Sequence, residues 1–413
     1  MLNFILFVGF TLIFAISTYK KKGGLTASVF LVGLYLLSGV CSVLDLHFSQ
    51  DYYILDSSYL GYTILFVVLL YLFLAPFVSV KEESISMFVF PNKKLLDTIS
   101  TAIILLSFGA IIFFAKGVRS VFAYSSLADA RNDRYYQDMS FMEFGITYTI
   151  FSVAASLFVF ALLLFFVYSV IGGNKKRRVL LLVSSISEPL HVLTEVGRDG
   201  IVFWLFTFFF FFLLFKDFLP EDNVKKLKKY SVVLVAFISI PFMLISVSRF
   251  SGDVIGGLVS YMGQQFKHFC YYMEIPDRPL RHGADFPLWF EITGMAKPER
   301  GGWILGHTDS GSFRTFVGGF IQNFNVIGTF MLGTILAIFI RSVIKIRDNT
   351  MFLSQLFIYI LFFEVYAQGV FYFRQFTRGG NLFIVICIVG WIFFRHQLKV
   401  DNNKTLLIRR NIL

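Results

Sequence analysis

The sequence predicts an all-α fold: a polytopic transmembrane helical bundle of about eleven spans, with residues 1–413 forming a single integral membrane domain. Three observations predict it. Of 413 residues, 56% are hydrophobic and 15% charged, and the mean hydropathy is +0.72, far from the balance of a soluble globular chain. Apolar runs of about 20 residues, the length a helix needs to cross hydrocarbon, recur along the chain. Clusters of Lys fall at alternate connections, as the positive-inside rule requires.

The first apolar run begins at Leu2 with no basic residue before it, and Lys20-Lys21-Lys22 follow it. That order predicts a retained span with the N-terminus outside, not a cleaved leader. The spans fall at Leu2–Tyr19, Leu25–Leu44, Ser58–Val78, Leu95–Ala115, Phe144–Ile171, Val179–Leu193, Ile201–Phe215, Tyr230–Ser248, Thr315–Ile340, Met351–Gln368 and Leu382–Phe394. Val179–Leu193 is short and holds Glu188, Pro189 and His191, so it reads as re-entrant or broken. An odd number of spans places the C-terminus, with Arg409-Arg410, in the cytoplasm.

The net charge of +11 follows largely from the positive-inside bias and does not point to nucleic acid. Three scattered cysteines give neither a disulfide framework nor a metal motif. No His-x3-His or Cys-x2-Cys spacing occurs, so no metal is expected. There is no phosphate-binding Gly-x4-Gly-Lys loop, no dinucleotide glycine pattern and no cytoplasmic catalytic domain, which disfavours an ATP-driven pump or a nucleotide-sugar transferase.

Sorted by side, the basic residues are unequal. On the cytoplasmic side Lys outnumbers Arg 16 to 7; on the outer side there are three Lys and eleven Arg. Arg is favoured where planar, bidentate recognition of phosphate or carboxylate matters. An anionic ligand on the outer face is one reading; pairing with outer carboxylates such as Asp129, Asp133 and Glu143 is the plainer one.

Four stretches carry the chemistry. Glu195-Val-Gly-Arg-Asp-Gly200 separates two apolar runs. Gly197 and Gly200 allow a tight reversal, Asp199 is placed to cap the next helix, and Arg198 beside that helix's N-terminus suits a phosphate. A snorkelling interfacial Arg is the competing reading. Residues Asp129–Tyr136 read as a short solvated helix whose Tyr135 could stack on a sugar. A long outer loop, 249–314, far exceeds the usual connection length. Its first part, Val254–Tyr272, reads as an amphipathic helix lying on the outer surface. Its second part is Pro- and Gly-rich and holds Arg281, His282, Trp289, His307 and Arg314. The faces of Trp289 suit a sugar ring, and His282 and His307 are the plausible titrating groups. Last, Arg374 and Arg378, four apart, would share one face if helical, while Glu364 faces the bundle interior.

These features together resemble the Wzy-type polymerases of O-antigen and capsular repeat units. The likeness spans most of the chain in layout. Locally it rests on Glu195-Val-Gly-Arg-Asp-Gly200, on Ser248-Arg249-Phe250, and on Phe313-Arg-Thr-Phe-Val-Gly-Gly-Phe-Ile-Gln-Asn-Phe-Asn-Val-Ile-Gly328. In the last, Gln322-Asn323 and Asn325 stand where related chains often look more like Asp-Phe-Gly. The resemblance implies a metal-independent glycosyltransferase of the GT-C type, without cofactor, at the periplasmic face of a bacterial inner membrane. It would transfer a growing glycan from undecaprenyl diphosphate to the terminal sugar of an incoming lipid-linked repeat unit. A chain-length regulator and a flippase would be its partners beside membrane lipids. On this reading Arg198 and Arg249 stabilise the leaving diphosphate, Arg314, Arg374 and Arg378 add phosphate contacts, and His282, His307 or Asp199 serves as base. An O-antigen ligase and a lipid-linked oligosaccharide flippase are the alternatives.

Overall fold

The computed structural model describes residues 2–48, 59–136, 145–172, 174–225, 227, 229, 243–247, 253–275, 278, 280–296, 314–400 and 405–410. Arg249, His307, the side chain of Tyr135 and most of the expected span Tyr230–Ser248 lie outside them.

The helices in chain order are α1 (Leu2–Lys22), α2 (Ala27–Phe48), α3 (Tyr59–Val78), α4 (Lys93–Val121), α5 (Leu127–Tyr136), α6 (Ile146–Ser156), α7 (Phe158–Val170), α8 (Lys175–Ser184), α9 (Ser187–Leu193), α10 (Asp199–Phe215), α11 (Val254–Glu274), α12 (Pro287–Thr293), α13 (Thr315–Val343), α14 (Leu353–Gln368) and α15 (Arg378–Val400). Seven segments are long and apolar enough to cross a membrane: Leu2–Lys22, Ala27–Leu46, Tyr59–Ser84, Lys93–Val121, Ile146–Val170, Thr315–Val343 and Arg378–Arg395. Two shorter apolar helices, α10 and α14, add to them. Leu105, Ile112, Ile327 and Ile335 are each at least 60% exposed on these long helices, as expected of faces turned to lipid.

The chain divides into two compact units, Met1–Ile85 with Ile255–Phe393, and Ser86–Val254 with Phe394–Leu413. In the first, α1 packs on α2, and α3 on α13. Here α11 departs from the sequence reading. It is a helix, but not a surface one. Tyr261, Phe266, Phe269 and Tyr272 are buried, and Phe266 packs on Phe7 and Phe66. At Gly263 an added Cβ would lie 2.4 Å from the Cys41 carbonyl oxygen, so only glycine lets α11 meet the α2 backbone. Polar residues near the contact, Gln265, Lys267 and His268, are buried as well. Lys267 lies 3.7 Å from the buried Asp45.

In the second unit α4 packs on α6, α8 and α9, and α10 on α7 and α9. The apolar run Val179–Leu193 breaks between α8 and α9. Pro189 has no N–H to donate to the carbonyl of Ser185, four residues back, so the ladder opens there. Ser185 sits in the gap and accepts the indole N–H of Trp204 at 2.9 Å. The all-α expectation needs one amendment. Met87–Phe90 (β1) pairs antiparallel with Leu406–Arg409 (β2). Aromatic and β-branched residues favour this extended pairing, but against so apolar a chain a four-residue strand carries no distinct periodicity.

Charged groups are held where helices end. Among residues of the first unit, Glu82 accepts the Ser28 N–H at 2.9 Å and the Tyr359 hydroxyl at 2.8 Å. Lys22, buried, donates to Glu83 at 2.9 Å and to the Val80 carbonyl. These bonds tie α1, α2, the end of α3 and α14 together. We predict that Tyr359→Phe lowers stability by about 1 kcal/mol and that Glu82→Ala, which strands two buried donors, lowers it by about 2–4 kcal/mol. Unfolding of the purified protein in detergent measures both, and the double variant should cost less than their sum.

Candidate functional site

The stretch 195–200 joins α9 to α10 as an elbow. Gly197 N–H and Val196 N–H bond back to the Val192 and Leu193 carbonyls, each at 3.0 Å. The left-handed position is Val196, at φ 55°, not either glycine. A β-branched residue there is strained; its buried packing against Val121 and Ala130 compensates. The glycines serve a different purpose. A Cβ on Gly197 would lie 2.6 Å from Val192, and one on Gly200 2.7 Å from it, so both are needed for the elbow to close on α9. Asp199 does not cap α10: Arg198 is the N-cap residue and Asp199 the first helical one, with no side-chain cap bond.

Arg198 is 2% exposed and donates Nη1 to the buried Ser246 hydroxyl at 2.8 Å. One turn earlier stands a polar cluster that sequence reasoning noted only as the content of a broken span. His191 Nε2 lies 3.2 Å from the Tyr148 hydroxyl and 3.3 Å from the Ser152 hydroxyl, and Nδ1 lies 3.5 Å from Glu188. Tyr148 also donates to Glu195 at 3.0 Å. An imidazole engaged by a carboxylate at one nitrogen and hydroxyls at the other is arranged for proton transfer. The signal was His191 three residues after Glu188 on one helical face; what hid it was that Tyr148 and Ser152 come from α6, some forty residues away.

In the first unit, Arg281 of the long loop pairs with Asp285, which is 2% exposed. Arg281 Nη1 donates to both Asp285 oxygens, at 2.9 and 3.2 Å. Asn323 Nδ2 donates to the same carboxylate at 2.8 Å. Asn381 Nδ2 donates to the Asp285 carbonyl at 3.1 Å and the Gln375 carbonyl at 2.6 Å. Gln375 then donates to Gln368 at 3.1 Å, and Gln368 to Glu364 at 2.5 Å. A continuous polar chain thus runs from the loop to Glu364, itself 1% exposed inside α14.

Arg314, the N-cap residue of α13, is 8% exposed and lies 4.4 Å over the Tyr272 ring, a cation–π contact. Burial pulls its guanidinium down to about 10; Arg281 acts in the same direction, and Tyr272 and Asp285 oppose it. It therefore stays cationic at neutral pH. Arg278 donates to the Met273 carbonyl at 3.4 Å. His282 is exposed in a turn at φ 45°, and Trp289 is 62% exposed on α12.

Arg374 and Arg378 do not share a helical face. Arg374 belongs to a short 3-10 turn, Arg374–Phe376, and Arg378 begins α15. Thr377 between them is extended, and its hydroxyl accepts the Gly380 N–H at 3.1 Å, capping the new helix. Arg378 pairs instead with Glu291 of α12 at 2.7 Å.

The Gln322-Asn323-Phe324-Asn325 stretch has a clear structural role. Asn325 takes φ 57° and ψ −176°, interrupting α13 with a backbone that glycine adopts most easily. Its side chain accepts the Gly328 N–H at 2.9 Å and caps the second half of the helix. Asn323, two residues earlier, is the partner of Asp285. Among the described residues no group of three or more His, Cys, Asp or Glu could hold a metal ion. Comparison of the chain with protein-family models, with curated proteins and with solved structures gave no match.

Two stability tests follow from this geometry. Gly200→Ala should destabilise the second unit by about 1–3 kcal/mol through overpacking, and Val192→Ala added to it should recover part of the loss, read by thermal unfolding in detergent. Asn325→Gly should be neutral or stabilising, because it relieves strain of about 1–3 kcal/mol at the loss of a few tenths for the cap. By the same measurement Asn325→Val, β-branched and without the cap, should be strongly destabilising.

Proposed function

We propose that the chain is a metal-independent glycosyltransferase that polymerises lipid-linked oligosaccharide repeat units. In this reading, eleven spans in a GT-C-like arrangement cross a bacterial inner membrane, with the N-terminus periplasmic and the C-terminus cytoplasmic. The donor is a glycan on undecaprenyl diphosphate, and the acceptor is the terminal sugar of an incoming lipid-linked unit. The observation that carries the reading is the arginine-centred network of the first unit. It holds Arg281, half-buried, on Asp285, and Arg314, buried, over the Tyr272 ring.

The chemistry is a displacement at the anomeric carbon. Its bond to the diphosphate oxygen breaks, the electron pair stays on that oxygen, and the acceptor hydroxyl forms the new bond as its proton leaves. Pre-placed guanidinium groups stabilise the departing charge without reorganisation. Arg314 and Arg281 are the first such groups, with Arg374 and Arg378 as further contacts. For the proton, His282 is the candidate base within the same unit, exposed in a turn. Trp289 offers a face to a sugar ring.

Purified protein in vesicles supplied only with lipid-linked repeat units should form a ladder of increasing glycan length. A ligase would form none without a lipid A-core acceptor, and a flippase would move its cargo with no glycosidic bond formed. Arg314→Ala should abolish the ladder while the protein still inserts. Arg314→Lys should reduce it by about 10²-fold, because a point charge cannot replace the fork. His282→Gln should lower turnover by about 10²–10⁴-fold. Unchanged ladders in these variants at normal expression would overturn the site.

A further inference from the structure

We propose that a groove on the first unit binds an anionic glycerophospholipid of a single leaflet, with its acyl chain against Phe10, Phe14 and Tyr71 and its phosphate at Lys21. The groove lies between α1 and the end of α3 and encloses about 300 Å³, within the range of small-molecule clefts. Ile13 is 67% exposed and Tyr71 51%, so the groove is open along its side.

Its two ends differ in chemistry. At one, Phe10, Phe14 and Tyr71 form an aromatic cluster, with centroids 5.5–6.3 Å apart. At the other stand Ser17, Thr18 and Lys21. At this end the Thr18 and Ser79 hydroxyls donate to the Phe14 and Pro76 carbonyls, at 2.7 and 2.6 Å, which leaves the Ser17 hydroxyl and the Lys21 ammonium as its donors facing the groove. Lys22, the neighbouring cation, is neutralised by Glu83. Lys21 has no ion-pair partner among the described residues, so this end carries net positive charge that a phosphate complements.

Length selects the occupant. Phe10 and Lys21 are eleven residues apart on one helix, so the groove runs about 16 Å, half the ~30 Å hydrocarbon core. That is the depth of one leaflet's acyl chains. A polyprenyl chain, which reaches well past a leaflet, would leave most of its length outside. The inference is independent of the glycosyltransferase reading.

Native mass spectrometry of the full chain, released from micelles containing equimolar phosphatidylglycerol and phosphatidylcholine, tests it. Wild type should retain phosphatidylglycerol preferentially. Lys21→Glu, at an exposed position, should lower that retention by about tenfold or more, while Lys20→Glu, outside the groove lining, should leave it unchanged. A phosphatidylglycerol with a photoreactive acyl tail should label the peptides holding Phe10 and Tyr71. Equal retention of the two lipids, equal loss in both Lys variants, labelling elsewhere, or displacement by equimolar polyprenyl phosphate would each overturn the assignment.

Discussion

The Asp285 carboxylate is almost wholly removed from solvent, and burying such a charge is costly unless it is paired and fully hydrogen-bonded. Here Arg281 and Asn323 satisfy its oxygens, and Asn381 holds its backbone carbonyl. Three separate parts of the sequence therefore meet at one residue, the loop at 281–285, the first half of α13 and the start of α15, and the turn at 375 joins them through Asn381. Removing any partner leaves a polar group stranded in low dielectric, so these parts are positioned together or not at all. Arg281, bonded to both Asp285 oxygens, shares that rigidity.

The helical, membrane-crossing character was legible from length and hydropathy alone, because hydrocarbon leaves the backbone few alternatives. The segments at Leu2, Ala27, Tyr59, Lys93, Ile146, Thr315 and Arg378 are where the apolar runs place them. The short helix over Asp129–Tyr136 was legible too, and Ser126 caps it by accepting the Asp129 N–H at 3.1 Å. Pairing was not legible. Nothing local in Met87–Phe90 names Leu406–Arg409 as its partner. Likewise, the apolar spacing of α11 implies a one-sided surface helix when read alone, yet the helix packs against Phe7, Phe66 and the Cys41 backbone, far away in sequence.

At the candidate sites the residue types were legible and their assignments less so. Glycines at 197 and 200 signalled a tight elbow, but the strained position is Val196, and the glycines are there to admit Val192. Asn325 holds a glycine-like backbone and uses its amide to offset part of the strain. His191 escaped attention because a histidine inside an apolar run resembles an isolated polar residue until Tyr148, Ser152 and Glu188 are brought to it. Each case turns on a contact between elements, which composition and spacing do not encode.

The buried positions of Cys41, Cys270 and Cys387 bear on the chemistry of the compartments this chain borders. All three are unpaired with one another and at most 8% exposed. Oxidants and thiol exchange act on accessible thiolates, and none is offered. The fold is therefore indifferent to redox poise on either side of the membrane: it needs no oxidative maturation, and a shift between reducing and oxidising surroundings leaves its covalent structure unaltered.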